Sequence, residues 1–131
     1  MAVSSVIKNK KIILAVDDAS ANLQLINGVL GEEFDLRLAK SGDMALMALE
    51  RVVPHLILLD IEMPGMSGFD LMQEIRKKPD LESVPVVIIT AHGDREFVLE
   101  AKKQGARDYI IKPFDVVSLQ LKVSKILVEE Q

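Results

Sequence analysis

The feature that most constrains this chain is a pattern repeated five times: a short apolar run, a turn, then a stretch with helical spacing. The first unit is Lys11–Val16 followed by a helix from about Ser20 to Leu30, with Leu23, Ile26 and Leu30 on one face. The second is Phe34–Ala39, then a helix from Gly42 to Val52 burying Ala45, Leu49 and Val52. The third is His55–Leu59, then a helix from about Ser67 to Lys77 carrying Leu71 and Ile75. The fourth is Val84–Ile89, then a helix from Asp94 to Lys103 with Phe97 and Ala101. The fifth is Arg107–Ile111, then a helix from Asp115 to about Val128 with Val116, Leu119, Val123 and Ile126.

Strands alternating with helices of this length predict βαβ units and an α/β fold, a doubly wound five-stranded parallel sheet with five helices on its two faces. Ser67 with Asp70 reads as a capping box, Asp94 and Asp115 stand at N-cap positions, and Gly31 and Gly105 come just after helix ends. Strands one, three and four are continuously apolar, as central strands buried on both faces should be. Strand two alternates and strand five begins polar, so both belong at edges, which selects the order 2-1-3-4-5.

The 131 residues suit one domain, read as spanning 1–131 with a core of about 11–128. Cysteine is absent, which excludes a disulfide scaffold, a thiolate metal site and a cysteine nucleophile. No apolar run approaches the ~18–20 residues of a membrane span, and Met1–Lys11 lack a signal-peptide apolar region, so a cytoplasmic protein without membrane contact is expected. Sixteen Lys and Arg against twenty Asp and Glu leave a net charge of −4, with four Phe, one Tyr and no Trp. That composition offers neither the positive field nor the stacking surface of a nucleic-acid binder.

The polar residues at the ends of the apolar runs carry the chemistry. Strand one ends in Asp17-Asp18, strand three in Asp60, strand four in Thr90 and strand five in Lys112. Parallel strands place their carboxyl ends on one edge, so these residues converge at the crevice between strands one and three. Three carboxylates so close repel one another unless a cation joins them, and hard oxygen ligands without His or Cys favour Mg²⁺. Open metal positions, an ammonium and a hydroxyl then suit phosphoryl transfer, with an Asp carboxylate as nucleophile. Asp60 is the expected nucleophile because it ends the central strand and the Met63-Pro64-Gly65 loop should leave it accessible. Taken singly, each of these residues has an ordinary reading as a turn, cap or strand end; the set on one edge does not.

Ile12–Asp18 (IILAVDD), Leu56–Leu71 (LILLDIEMPGMSGFDL), Val84–Ala91 (VPVVIITA) and Gly105–Phe114 (GARDYIIKPF) together resemble the response-regulator receiver domain, the CheY-like, flavodoxin-like phosphoacceptor module of two-component and phosphorelay signalling. The resemblance runs from about Lys11 to Val128. It implies that Asp60 takes a phosphoryl group from a phosphohistidine on a histidine kinase or histidine phosphotransfer protein. It also implies that Asp18 and Asp60 ligate Mg²⁺ directly, Asp17 acts mainly through a water, and the Glu62 backbone carbonyl completes the protein ligands. By the same match Thr90, Ala91, Lys112 and Tyr109 form the phosphoryl-binding and switch set, and the bond to Pro113 is cis. His92 and Glu62 border the site, where they would tune hydrolysis of the acyl phosphate, whereas His55 starts a strand at the opposite end. Arg76-Lys77-Lys78 reads as a solvated helix end.

Such a module catalyses only its own phosphorylation and dephosphorylation. Helix five carries a second apolar set, Val117, Leu121 and Val128, which is either a broad buried margin or a surface of helix 4, strand 5 and helix 5 for a homodimer or partner. No output domain is expected past helix five, so the chain reads as a stand-alone receiver or a fragment of a larger regulator or hybrid kinase. The runner-up is a small haloacid-dehalogenase-like Asp phosphatase, disfavoured by Asp60-Ile61-Glu62 lying mid-chain and by the lack of room for a cap. A receiver that has lost phosphorylation is opposed by the complete residue set. An FMN carrier is opposed by Asp17-Asp18, which would repel the phosphate in the loop after strand one.

Overall fold

Strands and helices alternate without interruption: β1 Ile12–Val16, α1 Ser20–Leu30, β2 Asp35–Ala39, α2 Gly42–Leu49, β3 Leu56–Asp60, α3 Gly68–Arg76, β4 Val86–Thr90, α4 Arg95–Lys103, β5 Asp108–Ile111 and α5 Val116–Glu129, with a 3-10 turn at Pro79–Leu81. The computed structural model describes residues 10–129, so the reading of Met1–Lys11 falls mostly outside them. Every strand pair is parallel and the order is β2-β1-β3-β4-β5, as the strand compositions predict. Among the described residues no helix is long and apolar enough to cross a membrane.

The sheet sorts its side chains by strand parity. Ile13, Ala15, Leu56, Leu58, Val87 and Ile89 face α1 and α5, meeting Leu23, Ile26, Leu30, Leu119, Val123 and Ile126. Leu14, Val16, Ile57, Leu59, Val86 and Ile88 face α2, α3 and α4, meeting Ala45, Leu49, Leu71, Met72, Ile75 and Ala101. β3 and β4 are buried at every position, whereas β2 exposes Arg37 and Leu38, as an edge strand does.

Local signals set most of the ends. Ser67 and Asp70 form the reciprocal capping box of α3, and Asp94 caps α4 by accepting from Phe97 N at 3.2 Å. Differences from the expected spans have physical causes. α2 ends at Leu49 rather than Val52; Glu50 N and Val52 N still donate to Leu46 O and Ala48 O, both at 3.2 Å, so the chain runs on as a turn, and Pro54 keeps Val53 from continuing it. Val52, expected in the core, is half-buried. β4 begins after Pro85, which has no N–H for the ladder, and runs on to Thr90. Gly105 has a φ of +109°, the left-handed region expected after a helix. Gly31 instead keeps a right-handed φ of −67°, and its constraint is space, since a Cβ would lie 2.5 Å from Asn27 O.

Arg76 departs from the reading of a solvated helix end. Its Nη1 donates to the carbonyls of Leu81, Glu82 and Val84 at 3.1, 3.2 and 3.1 Å, and Nη2 to Gly105 O at 3.0 Å. The guanidinium therefore closes the turn after α3 onto the end of α4, and only Lys77 and Lys78 remain as the charged helix end.

Candidate functional site

The ladder continues past the strands and brings their ends together. Asp17 N donates to Ala39 O, Ile61 N to Ile89 O and Lys112 N to Thr90 O, at 3.1, 3.1 and 2.7 Å. Each of these bonds fixes the residue just beyond a strand, so the polar ends emerge on a common edge. Asp17, Asp60 and Thr90 are fully buried polar residues, and Asp18 is exposed beside them.

Asp17 is held from the start of α1, through its N-cap residue and its first turn. Its Oδ1 accepts from Ala19 N at 2.9 Å and its Oδ2 from Asn22 Nδ2 at 3.0 Å. Asn22 was not predicted to hold a site residue; its signal is its place in the first turn of α1, five residues after Asp17. Lys112 reaches back from the end of β5, with Nζ 3.0 Å from Asp60 Oδ1 and 3.5 Å from Asp17 Oδ2. Burial alone would lower the Lys112 pKa, but the two carboxylates outweigh it and hold the ammonium above its ordinary value.

Asp60 Oδ1 also accepts from Glu62 N at 3.2 Å, while Oδ2 is buried without a hydrogen-bond partner among the described residues. The expected accessibility of Asp60 does not hold. The residue is 0% exposed, because Glu62 N folds back on it and Lys112 lies across it. Burial pushes its carboxyl up to about 6; the Lys112 hydrogen bond opposes that shift and the Asp17 charge adds to it.

Asp17, Asp18 and Asp60 each offer a carboxylate oxygen, and the three oxygens lie within 4.8 Å of one another. An orphaned buried oxygen in an all-oxygen, net negative cluster fits a hard divalent cation.

Glu62 and the loop after β4 form the outer wall. Thr90 Oγ1 donates to Glu62 Oε1 at 3.4 Å and Ala91 N to the same oxygen at 3.1 Å. His92 Nε2 lies 3.2 Å from Glu62 Oε2, and His92 N donates to Thr90 Oγ1 at 2.9 Å. The Ala91 amide is the main cause holding the Glu62 carboxyl below the usual range. Tyr109 stands opposite Ile88 on β5, short of Thr90, with Lys122 Nζ 4.7 Å above its ring and donating to its carbonyl. Lys122 carried no sequence signal, since it meets Tyr109 only across the β5–α5 turn. The Lys112–Pro113 peptide is cis. His55 is at the other end of the sheet, where its Nδ1 accepts from Ile12 N at 3.0 Å.

The family model for the response regulator receiver domain matches residues 13–124. The chain is 36% identical over 121 residues to the chemotaxis protein CheY-3 of Vibrio cholerae, covering 91% of this chain and 92% of that one. It is 37% identical over 115 residues to the response regulator PleD of Caulobacter vibrioides, covering 87% of this chain but spanning only 25% of that protein. Among solved structures, a two-component response regulator from Clostridium difficile superposes with a TM-score of 0.86 at 28% identity, over 93% of this chain and 99% of that one. The receiver domain of a histidine kinase from Syntrophus aciditrophicus does so with a TM-score of 0.82 at 30% identity, over 91% of each.

Proposed function

The chain belongs to the response regulator receiver domain family, and from that membership we propose that it accepts a phosphoryl group on Asp60. The observation that carries the reading is the Asp60 carboxylate itself. It is buried, with one oxygen on Lys112 and the other unpartnered among the described residues, beside two further carboxylates. In the proposed step an Asp60 oxygen attacks phosphorus and a P–O bond forms. The P–N bond to a donor histidine breaks, and the imidazole leaves with its electron pair and takes up a proton. Lys112 lies where it can neutralise one phosphoryl oxygen, and Thr90 Oγ and Ala91 N can donate to others.

Asp17, Asp18, Asp60 and the Glu62 backbone carbonyl would hold Mg²⁺. When bound, the ion would offset the carboxylate charge and draw negative charge from the transferring oxygens. The donor would be a histidine kinase or histidine phosphotransfer protein, and the chain would act as a signalling unit whose catalysis is confined to its own modification, in the cytoplasm. The comparisons give no support to a haloacid-dehalogenase-like phosphatase. Incubation with acetyl phosphate and Mg²⁺, read by intact mass, should add one labile phosphate. No gain under conditions that label another receiver would reject the proposal.

For output we propose the surface of α4, β5 and α5. Val117, Leu121 and Val128, the set left open between buried margin and surface, are 62%, 65% and 67% exposed, which supports a second copy or partner there. Sedimentation with and without a beryllofluoride mimic reads this directly: association on binding supports it, and an unchanged monomer removes the dimer.

A further inference from the structure

The side chain of Glu62 places an anion on the very donors that a phosphoryl group on Asp60 would need. One of its oxygens takes both Thr90 Oγ1 and Ala91 N, at 3.4 and 3.1 Å, and the other faces His92 Nε2 at 3.2 Å. His92 also bonds back to Thr90 through its amide, so Thr90, Ala91 and His92 are gathered around one carboxylate. The same histidine reaches the next helix. Its ring centroid is 5.5 Å from that of Phe97 on α4, and Phe97 is 5.6 Å from Phe69 on α3.

α4 is lightly anchored. Of its nine residues only Ala101 is buried, and Leu99 is 54% exposed. A helix with so few buried contacts belongs to the easily displaced part of a fold, and the Phe97 ring is a large share of what ties it to the site. Two anions cannot share the Thr90 and Ala91 donors, because like charges that close repel strongly.

We propose that Glu62 is an internal competitor for the phosphoryl seat, and that the path Glu62–His92–Phe97 holds α4 in its resting position until the phosphoryl group displaces it. This rests on Asp60 being the acceptor and adds to it a specific coupling between site and helix. Displacement of the carboxylate frees Thr90 and Ala91 for the phosphoryl oxygens. It also strips His92 of its partner, which releases the ring contact on Phe97. Glu62 is a positioning residue in this scheme, not a catalytic one, and its backbone carbonyl is unchanged by substitution.

The test compares wild type, Glu62→Ala and His92→Phe. The latter keeps a ring against Phe97 but has no nitrogen for Glu62. The first readout is the initial rate of labelling by acetyl phosphate at fixed Mg²⁺, tracked by intact mass. The second is the set of amide NMR shifts of Ala91 and α4 with no phosphate present. Glu62→Ala should label about tenfold faster, the scale of losing one charge-assisted anchor. Its Ala91 and α4 amides should move toward their positions in the beryllofluoride-bound wild type, and His92→Phe should fall between. Labelling of Glu62→Ala at the wild-type rate, or unmoved Ala91 and α4 amides, would overturn the coupling while leaving Asp60 as the acceptor. Failure of all three proteins to label would overturn the acceptor reading and the competitor with it.

Discussion

Asp60→Asn is expected to abolish phosphate uptake and, at pH 7 without Mg²⁺, to make the protein more stable than wild type by about 2 kcal/mol. Uptake would be lost because, with Asp60 as the proposed acceptor, the amide is no nucleophile. The gain in stability comes from burial. In the folded protein the Asp60 carboxyl titrates near 6, above the 3.8 of a free side chain. Between those two values the folded state holds the proton more tightly than the unfolded state. Stability conferred by the wild-type residue therefore falls as pH rises from about 4 to 6, and stays low above that. The difference between the variants should accordingly be small near pH 4, grow through pH 5 and plateau above pH 6. The full shift would correspond to about 3 kcal/mol, reduced here because Asn also weakens the contact to Lys112. Urea denaturation across that range measures it, and equal stability at every pH would reject the charge-burial account. Saturating Mg²⁺ should narrow the gap at pH 7, since a ligand of the folded state stabilises only the protein that binds it.

The opposite sign is expected for Lys112→Met. The substitution keeps the apolar stem and removes an ammonium lying 3.0 Å from Asp60 and 3.5 Å from Asp17, both fully buried. Breaking a buried pair from one side leaves uncompensated charge and costs about 3–5 kcal/mol when burial is complete. The Lys112 side chain is 23% exposed, so about 2–3 kcal/mol at pH 8 is expected. Protonation of Asp60 relieves the variant, so the deficit should shrink by pH 5. Added Mg²⁺ should recover part of it at pH 8 by returning positive charge to the cluster. A deficit that is the same at pH 5 and pH 8 and insensitive to Mg²⁺ would assign it to packing. Together the two substitutions separate the buried anion, which costs stability, from the cation that offsets it.

Much of the fold was legible because it depends on spacing along the chain. Five apolar runs with turn residues between them and helical periodicity after them leave few arrangements, and the alternation in β2 identifies an edge. Ser67-Asp70 and Asp94 were readable as caps because a cap is a contact between residues three apart. The candidate site was legible for a different reason: parallel strands bring their carboxyl ends to one edge whatever the side chains are. The reading of Arg76 failed because its partners lie past the end of its helix, where helical spacing says nothing about them. Arg76 resembles any basic helix end until the carbonyls of Leu81, Glu82, Val84 and Gly105 are folded around it.

The amino-acid order by itself therefore determined the fold class, the strand order and the residues gathered at the sheet edge, because periodicity and the direction of parallel strands are local properties that survive any packing detail. Tertiary structure alone decided how those residues stand toward one another. It buried Asp60 rather than exposing it, left one of its oxygens without a partner among the described residues, and turned the Glu62 carboxylate onto Thr90 and Ala91. Those outcomes depend on desolvation and on hydrogen bonds between residues about 30 to 50 positions apart, quantities that exist only once the chain has closed on itself.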